Sequence, residues 1–320
     1  MTDIFFLHEP ALLHEAIEIL NPQPGSVMLD ATAGGGGDSS AIAERISPGG
    51  TLIAIDRDAE AVQAAEERLR RFQNMVNIRV YHSDFLNLST VLTNYPLLNG
   101  ALFDLGVSSH QLDSERGFSF MRDEQLDMRM DSSKGFTAEE LLASITEQEL
   151  WRVLRENGEE RWARAIARSI IARRSSGEPI HTTGELAKVV MNAVPRKYWS
   201  GNIHVATRTF QSIRRIVNDE ANQLTIGLKT VIDQLAPGGR LAVISYHSLE
   251  DRVVKRMFAD AAGRNASPPR SSPAALLNVE KTDPVLRLLT RKPITPTQSE
   301  LERNPRSRSA VLRAVEKLPH

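Results

Sequence analysis

The sequence of 320 residues contains no cysteine, which excludes a thiolate nucleophile, a disulfide and a cysteine-based zinc site. It also lacks a run of 18 apolar residues, so we expect no membrane span. Met1-Thr2-Asp3-Ile4 lacks the basic start and long apolar stretch of a secretory signal. No dedicated cluster of histidines and acids predicts a metal site. These absences fit a cytoplasmic protein. The net charge of −1 does not indicate any class of binding partner.

A glycine-rich loop stands out among the features that are present. Val27 to Asp30 is a short apolar run that ends in an acid, and Gly34 to Gly37 follow it closely. A helical pattern begins near Asp38, whose side chain is expected to cap the helix. Glycines permit a tight turn and the close approach of a ligand, and the free N–H groups of a new helix point into the same space.

A second apolar run, Thr51 to Ile55, also ends in an acid, Asp56, at a spacing that suits a carboxylate binding ribose hydroxyls. The dinucleotide fingerprint is met only in its first half, because Ser39 stands where its third glycine belongs. Asp30 would repel a pyrophosphate and attract a cation. The pattern therefore favours S-adenosylmethionine, a sulfonium, over NAD. A flexible surface turn would explain the glycines but neither acid.

Strand-like and helix-like segments alternate through the first hundred residues, which predicts a parallel, doubly wound α/β sheet. Ligands of such sheets bind at the carboxyl ends of the strands. Asp30, Asp56, Phe85 and Asp104 would all lie at this edge. The sequence therefore predicts one crevice lined by several carboxylates.

The alternation is interrupted by a long helical stretch, which predicts an inserted subdomain. We assign residues 1–109 and 215–320 to a discontinuous sheet domain and residues 110–214 to an all-helical insert. Thr137 to Asn218 holds 13 basic and 9 acidic residues, and Arg264 to Arg313 holds 10 and 4. Local basic surpluses suit a phosphate backbone, although solvated helix faces are the alternative interpretation.

Three further segments carry structural predictions. Gly158 to Arg174 has the pattern of one amphipathic helix. Gly263 to Ser299, rich in Pro, Ser and Arg, predicts a surface excursion. Trp151, Trp162 and Ile170 on helical faces are the basis for a homodimer, unless they belong to the core.

Eleven blocks, in order from residue 8 to about residue 313, resemble a known family. They are His8–Leu13, Asp30–Gly37, Ala54–Asp58, Phe103–Ser109, Gln111–Asp113, Arg116–Phe120, Leu126–Asp131, Gly158–Arg161, Thr207–Gln211, Ser245–Arg252 and Asn304–Ser309. The sequence resembles the bacterial family of ribosomal small-subunit (16S) rRNA cytosine-N4 methyltransferases. This resemblance implies a Rossmann-like class I S-adenosylmethionine-dependent fold. It also implies methylation of the exocyclic amine of one cytosine near the decoding (P-site) region of the small ribosomal subunit.

The resemblance also implies a set of cofactor contacts. The predicted cofactor-binding residues are Asp30, Gly34, Gly36, Gly37, Asp38, Asp56, Phe85, Asp104 and Gln111. Among them, the loop around Gly36 would hold the methionine part, Asp56 the ribose and Phe85 the adenine. The family usually has histidine at the position of Asp38, so no role of that side chain carries over securely.

Asp104 is the first candidate for catalysis, as an acceptor for protons of the cytosine amine. That amine is a poor nucleophile, and alignment in the site supplies much of the barrier lowering. No covalent intermediate is required, and carbon-5 methylation through a cysteine adduct is excluded. Leu105-Gly106 follows Asp104 where amine methyltransferases often have two prolines and an aromatic residue. Phe118, Phe120 and Tyr246 are therefore candidates for stacking on the base, with packing as the alternative for both phenylalanines.

His247 and Ser108 complete the predicted catalytic set. His247 is expected to orient the substrate by a hydrogen bond rather than to act as a base, and Ser108 either positions the base or caps a turn. Arg208, Arg306 and Arg308 are the candidates for contacts with RNA phosphates. A methyltransferase acting on a non-RNA substrate and a non-catalytic ribosome-assembly factor remain the alternatives.

Overall fold

The chain forms two compact units in the computed structural model. The described residues are 10–107, 111, 114–199, 204–264 and 283–319. The first unit comprises Met1–Gly106 and Gln223–His320, and the second comprises Val107–Asn222. The boundary predicted between residues 214 and 215 falls inside one continuous helix, Thr207–Val217, which packs on other helices of the second unit.

The first unit is built on a sheet, in which seven strands of the described chain take part. They are β1 (Val27–Asp30), β2 (Thr51–Asp56), β3 (Asn77–His82), β4 (Leu98–Asp104), β5 (Leu235–Ser245), β6 (Leu286–Leu288) and β7 (Val311–Lys317). Their order is β3-β2-β1-β4-β5-β7-β6. Strands β1 to β5 are parallel, and β7 runs antiparallel to both β5 and β6. The predicted Rossmann-like class I methyltransferase sheet is confirmed, and its order switches between β1 and β4.

The strand β6 corrects one prediction. Gly263 to Ser299 was expected to be a surface excursion, yet Leu286–Leu288 pairs with β7 in the sheet. A strand of three residues has too short a pattern to be read locally, and its pairing partner lies more than twenty residues away. Residues 265–282 of that segment lie outside the described residues.

Helices are numbered here in chain order across both units. They are α1 (Leu13–Leu20), α2 (Gly37–Ile46), α3 (Ala59–Leu69), α4 (Leu88–Leu92), α5 (Ala138–Ser144), α6 (Glu147–Gly158), α7 (Ala163–Ser175), α8 (Thr183–Ala193), α9 (Thr207–Val217), α10 (Glu220–Gln234), α11 (Ser248–Ala261) and α12 (Gln298–Arg303). One cluster of buried side chains joins the sheet to α4, α10 and α11, and another joins it to α1, α2 and the end of α3. The sheet is therefore covered on both faces, which is why its central strands are almost continuously apolar.

The second unit is helical and has a core of its own, formed by α5 to α9 together with Leu126 and Met128. Capping boxes begin α5 at Thr137 and α6 at Thr146, each with a glutamate three residues later. Within the described residues of both units, no helix has the length and apolar character that a membrane crossing requires.

One prediction about this helical unit is wrong, and one alternative is decided. The helix predicted over Gly158 to Arg174 is divided, because Glu159 adopts a left-handed conformation (φ 49°) and α7 begins only at Ala163. Ile170, offered as part of a dimer face, is 1% exposed in the core, and Trp151 and Trp162 pack against the same core. The alternative that these residues belong to the core therefore holds, and the homodimer stays a prediction.

Candidate active site

Three acids lie at the carboxyl ends of the central parallel strands. Asp30 ends β1, and its register partners are Ala54 on β2 and Leu102 on β4. Asp56 and Asp104 each lie two residues beyond those partners, at the ends of their own strands. The switch in strand order occurs between β1 and β4, where α/β sheets open a crevice for ligands.

The glycine loop is tied to this edge through Asp56. Its Oδ2 accepts the N–H of Gly34 at 2.8 Å, and its Oδ1 accepts the N–H of Asp58 at 2.9 Å. Burial raises the pKa of Asp56 above its ordinary value, although both backbone hydrogen bonds oppose the shift. Gly36 caps α2 with φ at 76°, and a Cβ there would lie 3.2 Å from the Cα of Ala65. The loop therefore needs glycine for its conformation and for its contact with α3.

Asp30 is fully buried and organises the same loop from inside. Its Oδ2 accepts the hydroxyl of Ser39 at 2.6 Å, and its Oδ1 accepts the N–H of Thr32 at 3.1 Å. Burial raises the pKa of Asp30 to about 6, while these hydrogen bonds lower it. Ser39, the departure from the dinucleotide fingerprint, is thus the partner of a buried carboxylate. The influence of Asp30 on a ligand is electrostatic, because its side chain is fully buried.

Two carboxylate oxygens at this edge lack partners. Within the part of the chain that the structure describes, the buried Oδ1 atoms of Asp38 and Asp104 accept no hydrogen bond. Burial raises the pKa of Asp104 to about 7 and that of Asp38 well above its usual range, and mutual repulsion contributes to the latter. The predicted cap at Asp38 is wrong: Gly36 is the cap residue, and Asp38 lies in the first turn of α2.

Tyr246 donates a hydrogen bond to the carboxylate of Asp104. Glu250 accepts the backbone N–H groups of Tyr246 and His247 at 3.1 and 3.2 Å, which holds the end of β5 against the first turn of α11. Gly106 has φ at 109°, and a Cβ there would lie 3.3 Å from the Tyr246 ring. Tyr246 therefore positions Asp104.

Phe85 lies beyond the end of β3 and packs under the sheet. Its ring meets Phe103 edge-on at 5.1 Å, and its side chain leaves no room for a Cβ at Gly227 of α10. Asp84 precedes it and accepts the N–H and the amide of Asn87 at 3.3 and 2.7 Å. Phe85 as a whole residue stays half-buried beside these contacts.

The free carboxylate oxygens are the observation that tests which ligand fits. Buried acceptors that lack a donor are costly, and a cation or an N–H donor placed beside them relieves that cost. A sulfonium amino acid supplies both a fixed positive charge and an ammonium group. A pyrophosphate would add negative charge to a site that already contains Asp30, Asp38 and Asp104. The residues present therefore fit S-adenosylmethionine.

Comparison with known proteins decides the family. The profile of the MraW methylase family matches residues 5–318. The chain belongs to the MraW methylase family. It is 49% identical to the "Ribosomal RNA small subunit methyltransferase H" of Pelobacter propionicus, over 98% of this chain and 99% of that protein. A protein of the same name from Trichlorobacter lovleyi is 48% identical, with 98% and 99% covered. An rRNA methylase structure from Streptococcus thermophilus covers 98% of this chain and 99% of that one, at 13% identity and a TM-score of 0.43.

In this MraW-family chain, the other predicted site residues have separate positions. His247 is the cap residue of α11 and is half-buried. Ser108 lies outside the described residues. Gln111 belongs to the second unit, is buried, and accepts the Ser114 hydroxyl at its carbonyl oxygen at 2.8 Å. The roles of Ser108 and Gln111 at the carboxylate edge stay predictions.

The two phenylalanines considered for stacking on a base are packing residues of the helical unit. Phe118 is buried, with the guanidinium of Arg116 5.8 Å from its ring centroid. Phe120 stacks on His204 at 4.6 Å and meets Phe210 edge-on at 5.1 Å. Each ring is thus engaged within its own unit.

The predicted phosphate contacts are exposed arginines on different elements. Arg208 lies on α9, where its guanidinium donates to the carbonyl oxygen of Glu159 at 3.3 Å. Arg306 and Arg308 lie on the 3-10 turn Pro305–Ser309 of the first unit. Among the described residues, no group of three or more histidines and acids is arranged to bind a metal ion.

Sequence reasoning missed the support around the carboxylates. The Thr32 hydroxyl oxygen accepts the N–H of Asp104 at 2.7 Å. The Ser39 hydroxyl donates to Asp30, and the Glu250 carboxylate accepts the backbone N–H of Tyr246. The glutamate three residues after the cap position was a readable signal, because this spacing defines a capping box. The hydroxyl partners had no local signal, since Thr32 and Ser39 each bond to a residue of another element.

Proposed function

We propose that this chain transfers a methyl group from S-adenosylmethionine to the N4 amine of a cytosine in small-subunit rRNA, near the decoding (P-site) region. The unpartnered Oδ1 atoms of Asp38 and Asp104 carry the proposal, because they form an acceptor site for cationic and amine groups. The names of the relatives supply the class of substrate. Since small ribosomal subunits are assembled in the cytoplasm, we infer that the enzyme acts there.

The cofactor residues follow from the geometry of the edge. The loop at Gly34 and Gly36 exposes backbone to the methionine part, and Asp56 at the end of β2 reaches the ribose. Phe85 offers its ring to the adenine, and Asp38 attracts the charged end of the amino acid. When bound, S-adenosylmethionine supplies an electrophilic methyl group on a positively charged sulfur.

Asp104 is the proposed acceptor for the cytosine amine. Its free Oδ1 accepts an N–H of that amine, which orients the nitrogen lone pair and stabilises the positive charge that develops on it. After transfer the nitrogen carries one proton too many, and the Asp104 carboxylate takes it. A pKa near 7 suits a group that accepts a proton at neutral pH. We propose that the hydrogen bond from the Tyr246 hydroxyl orients the Asp104 carboxylate for this step.

The remaining assignments concern His247, the three exposed arginines, Gln111 and Ser108. His247 caps α11 beside Tyr246, and we propose that its ring orients the substrate rather than accepts a proton. Arg208, Arg306 and Arg308 are exposed and are proposed to contact RNA phosphates. Gln111 and Ser108 stay as predictions from the family resemblance.

The test is methyl transfer to small ribosomal subunits isolated from cells that lack the enzyme. The purified chain and labelled S-adenosylmethionine should yield N4-methylcytidine in the nuclease digest, detected by mass spectrometry. Asp104→Asn should reduce the rate about 10²-fold or more, as expected for loss of a positioned proton acceptor. Asp260→Asn, on the exposed side of α11, is the matched control and should retain the rate. Labelled protein or small-molecule product without labelled cytidine would refute the proposal.

A further inference from the structure

We infer that a patch of aromatic and basic side chains on the helical unit binds an unpaired nucleobase and its flanking phosphates. The patch, called here the aromatic–basic patch, consists of Arg161, Trp162, Arg196, Lys197 and Tyr198. The inference rests on the proposed function for the presence of an RNA substrate. It adds which surface of the chain binds this RNA, and that binding combines base stacking with phosphate contacts.

Cations surround an exposed ring in this patch. The Tyr198 side chain is 38% exposed, and its ring centroid lies 5.3 Å from that of Trp162. The Arg161 guanidinium carbon lies 5.1 Å from the Tyr198 centroid and 5.5 Å from the Trp162 centroid. On Tyr198 the Lys197 ammonium nitrogen also lies at 5.1 Å. Two positive charges therefore lie over one partly exposed aromatic ring.

The backbone fixes these side chains in place. Glu159 ends α6 in a left-handed conformation, and Glu160 accepts the N–H of Trp162 at 2.8 Å, which defines the turn that presents Arg161. On the other side, the indole N–H of Trp199 donates to the carbonyl oxygen of Val194 at 2.9 Å and closes the 3-10 turn that contains Tyr198. The two turns hold the patch without using its charged groups.

The positive charges of the patch are not neutralised within the described chain. Elsewhere in this unit, Arg173 pairs with Glu185 at 3.0 Å. Arg214 likewise makes two hydrogen bonds to Glu220, at 2.8 and 2.9 Å. Among the described residues, no carboxylate lies within ion-pair distance of the basic groups of the patch, which contact only aromatic rings. Arg173 and Arg214 thus have acidic partners, whereas the basic groups of the patch are available to an anion.

Single-stranded RNA matches both properties at once. Every base has a π face that stacks on an aromatic side chain, and the adjacent phosphates bind arginine and lysine. Duplex RNA hides its base faces, and an acidic peptide would use the charges but not the ring. A target cytosine must leave its stack to reach a methyl donor, so unpaired RNA accompanies the reaction.

The experiment measures binding of the full chain to a fluorescein-labelled, single-stranded RNA of about 12 nucleotides, with a duplex of the same sequence for comparison. Tyr198→Ala should weaken binding to the single strand by roughly 5- to 100-fold, the range for loss of one stacked base. Tyr198→Phe keeps the ring and should bind nearly as the parent does. The double variant Arg161→Gln with Lys197→Gln should weaken binding and lower the salt slope by about 1 to 2. Lys188→Gln, an exposed lysine of α8, is the charge control.

The outcomes separate this inference from the proposed function. Weakening by Tyr198→Ala and by the double variant, with Tyr198→Phe and Lys188→Gln near the parent, supports the patch. Binding unchanged in the double variant overturns it, even if Tyr198→Ala fails to fold. A duplex bound as tightly as the single strand also overturns it. Absence of methyl transfer by the parent chain refutes the proposed function alone, because the binding series still decides the patch.

Discussion

The replacement of Asp104 by asparagine tests the electrostatics of the crevice directly. Burial raises the pKa of Asp104 from 3.8 to about 7 in the folded chain. A raised folded-state pKa contributes stability that is fully present below pH 4 and is lost as the pH rises through 7. At pH 8 the charged carboxylate thus opposes folding. Asparagine avoids this cost at every pH and still accepts the Tyr246 hydrogen bond through its Oδ1.

The size of the effect follows from the shift. Three pKa units correspond to about 4 kcal/mol, which is an upper limit because Asp104 lies at a crevice that water reaches. We expect about 2 kcal/mol, or a melting temperature about 3 to 6 °C higher than that of the parent at pH 8. At pH 5 the carboxyl is protonated in the folded parent but still ionised in the unfolded chain, so the difference should fall to about half and should vanish only below pH 4.

The assay is calorimetric unfolding of both proteins at pH 5, 6, 7 and 8 in the same salt, with Asp260→Asn as the exposed control. Saturating S-adenosylmethionine should raise the melting temperature of the parent more than that of the variant, because the cation pairs with the carboxylate. A difference that is equal at all four pH values, or an Asp104→Asn chain less stable at pH 8, would refute the reasoning.

Two further replacements probe the loop that supports the carboxylates. Gly36→Ala should destabilise the chain by about 1 to 3 kcal/mol. The loss should exceed that of Gly238→Ala, because both glycines have φ near 80° but only Gly36 has a neighbour within 4 Å. Equal chemical-denaturation midpoints of the two variants would show that the contact with Ala65 does not matter. Ser39→Ala should cost about 1 to 3 kcal/mol at pH 8 and less at pH 5, where Asp30 is protonated. Equal losses at both pH values in denaturant titrations would contradict the role of the Ser39 hydroxyl.

The strand-tip acids could be predicted because their signal is local. An apolar run followed by an acid defines both a buried strand and its exit, and the alternation of elements places Asp30, Asp56 and Asp104 at one edge. The same reasoning failed for Asp38, whose sequence position resembles a cap. The glycine at position 36 adopts the left-handed conformation and ends the loop two residues earlier.

The contact between Tyr246 and Asp104 depended on information that no local pattern contains. It requires β4 and β5 to pair with Asp104 opposite Ile244, although the helical unit separates these strands in the sequence. Tyr246 was considered for stacking because it is aromatic. The register turns it instead into the donor that orients the acceptor carboxylate.

The central claim is that the carboxylate edge binds a cationic methyl donor. Titration calorimetry with S-adenosylmethionine at pH 8, repeated with NAD, tests it most directly. We expect one S-adenosylmethionine to bind per chain. Because carboxyl groups with raised pKa values must ionise to pair with the sulfonium, the affinity should fall as the pH drops from 8 to 6. For the same reason binding should release protons, which is measured by repeating the titration in buffers of different ionisation enthalpy. Tighter binding of NAD, or S-adenosylmethionine affinity independent of pH across this range, would contradict it.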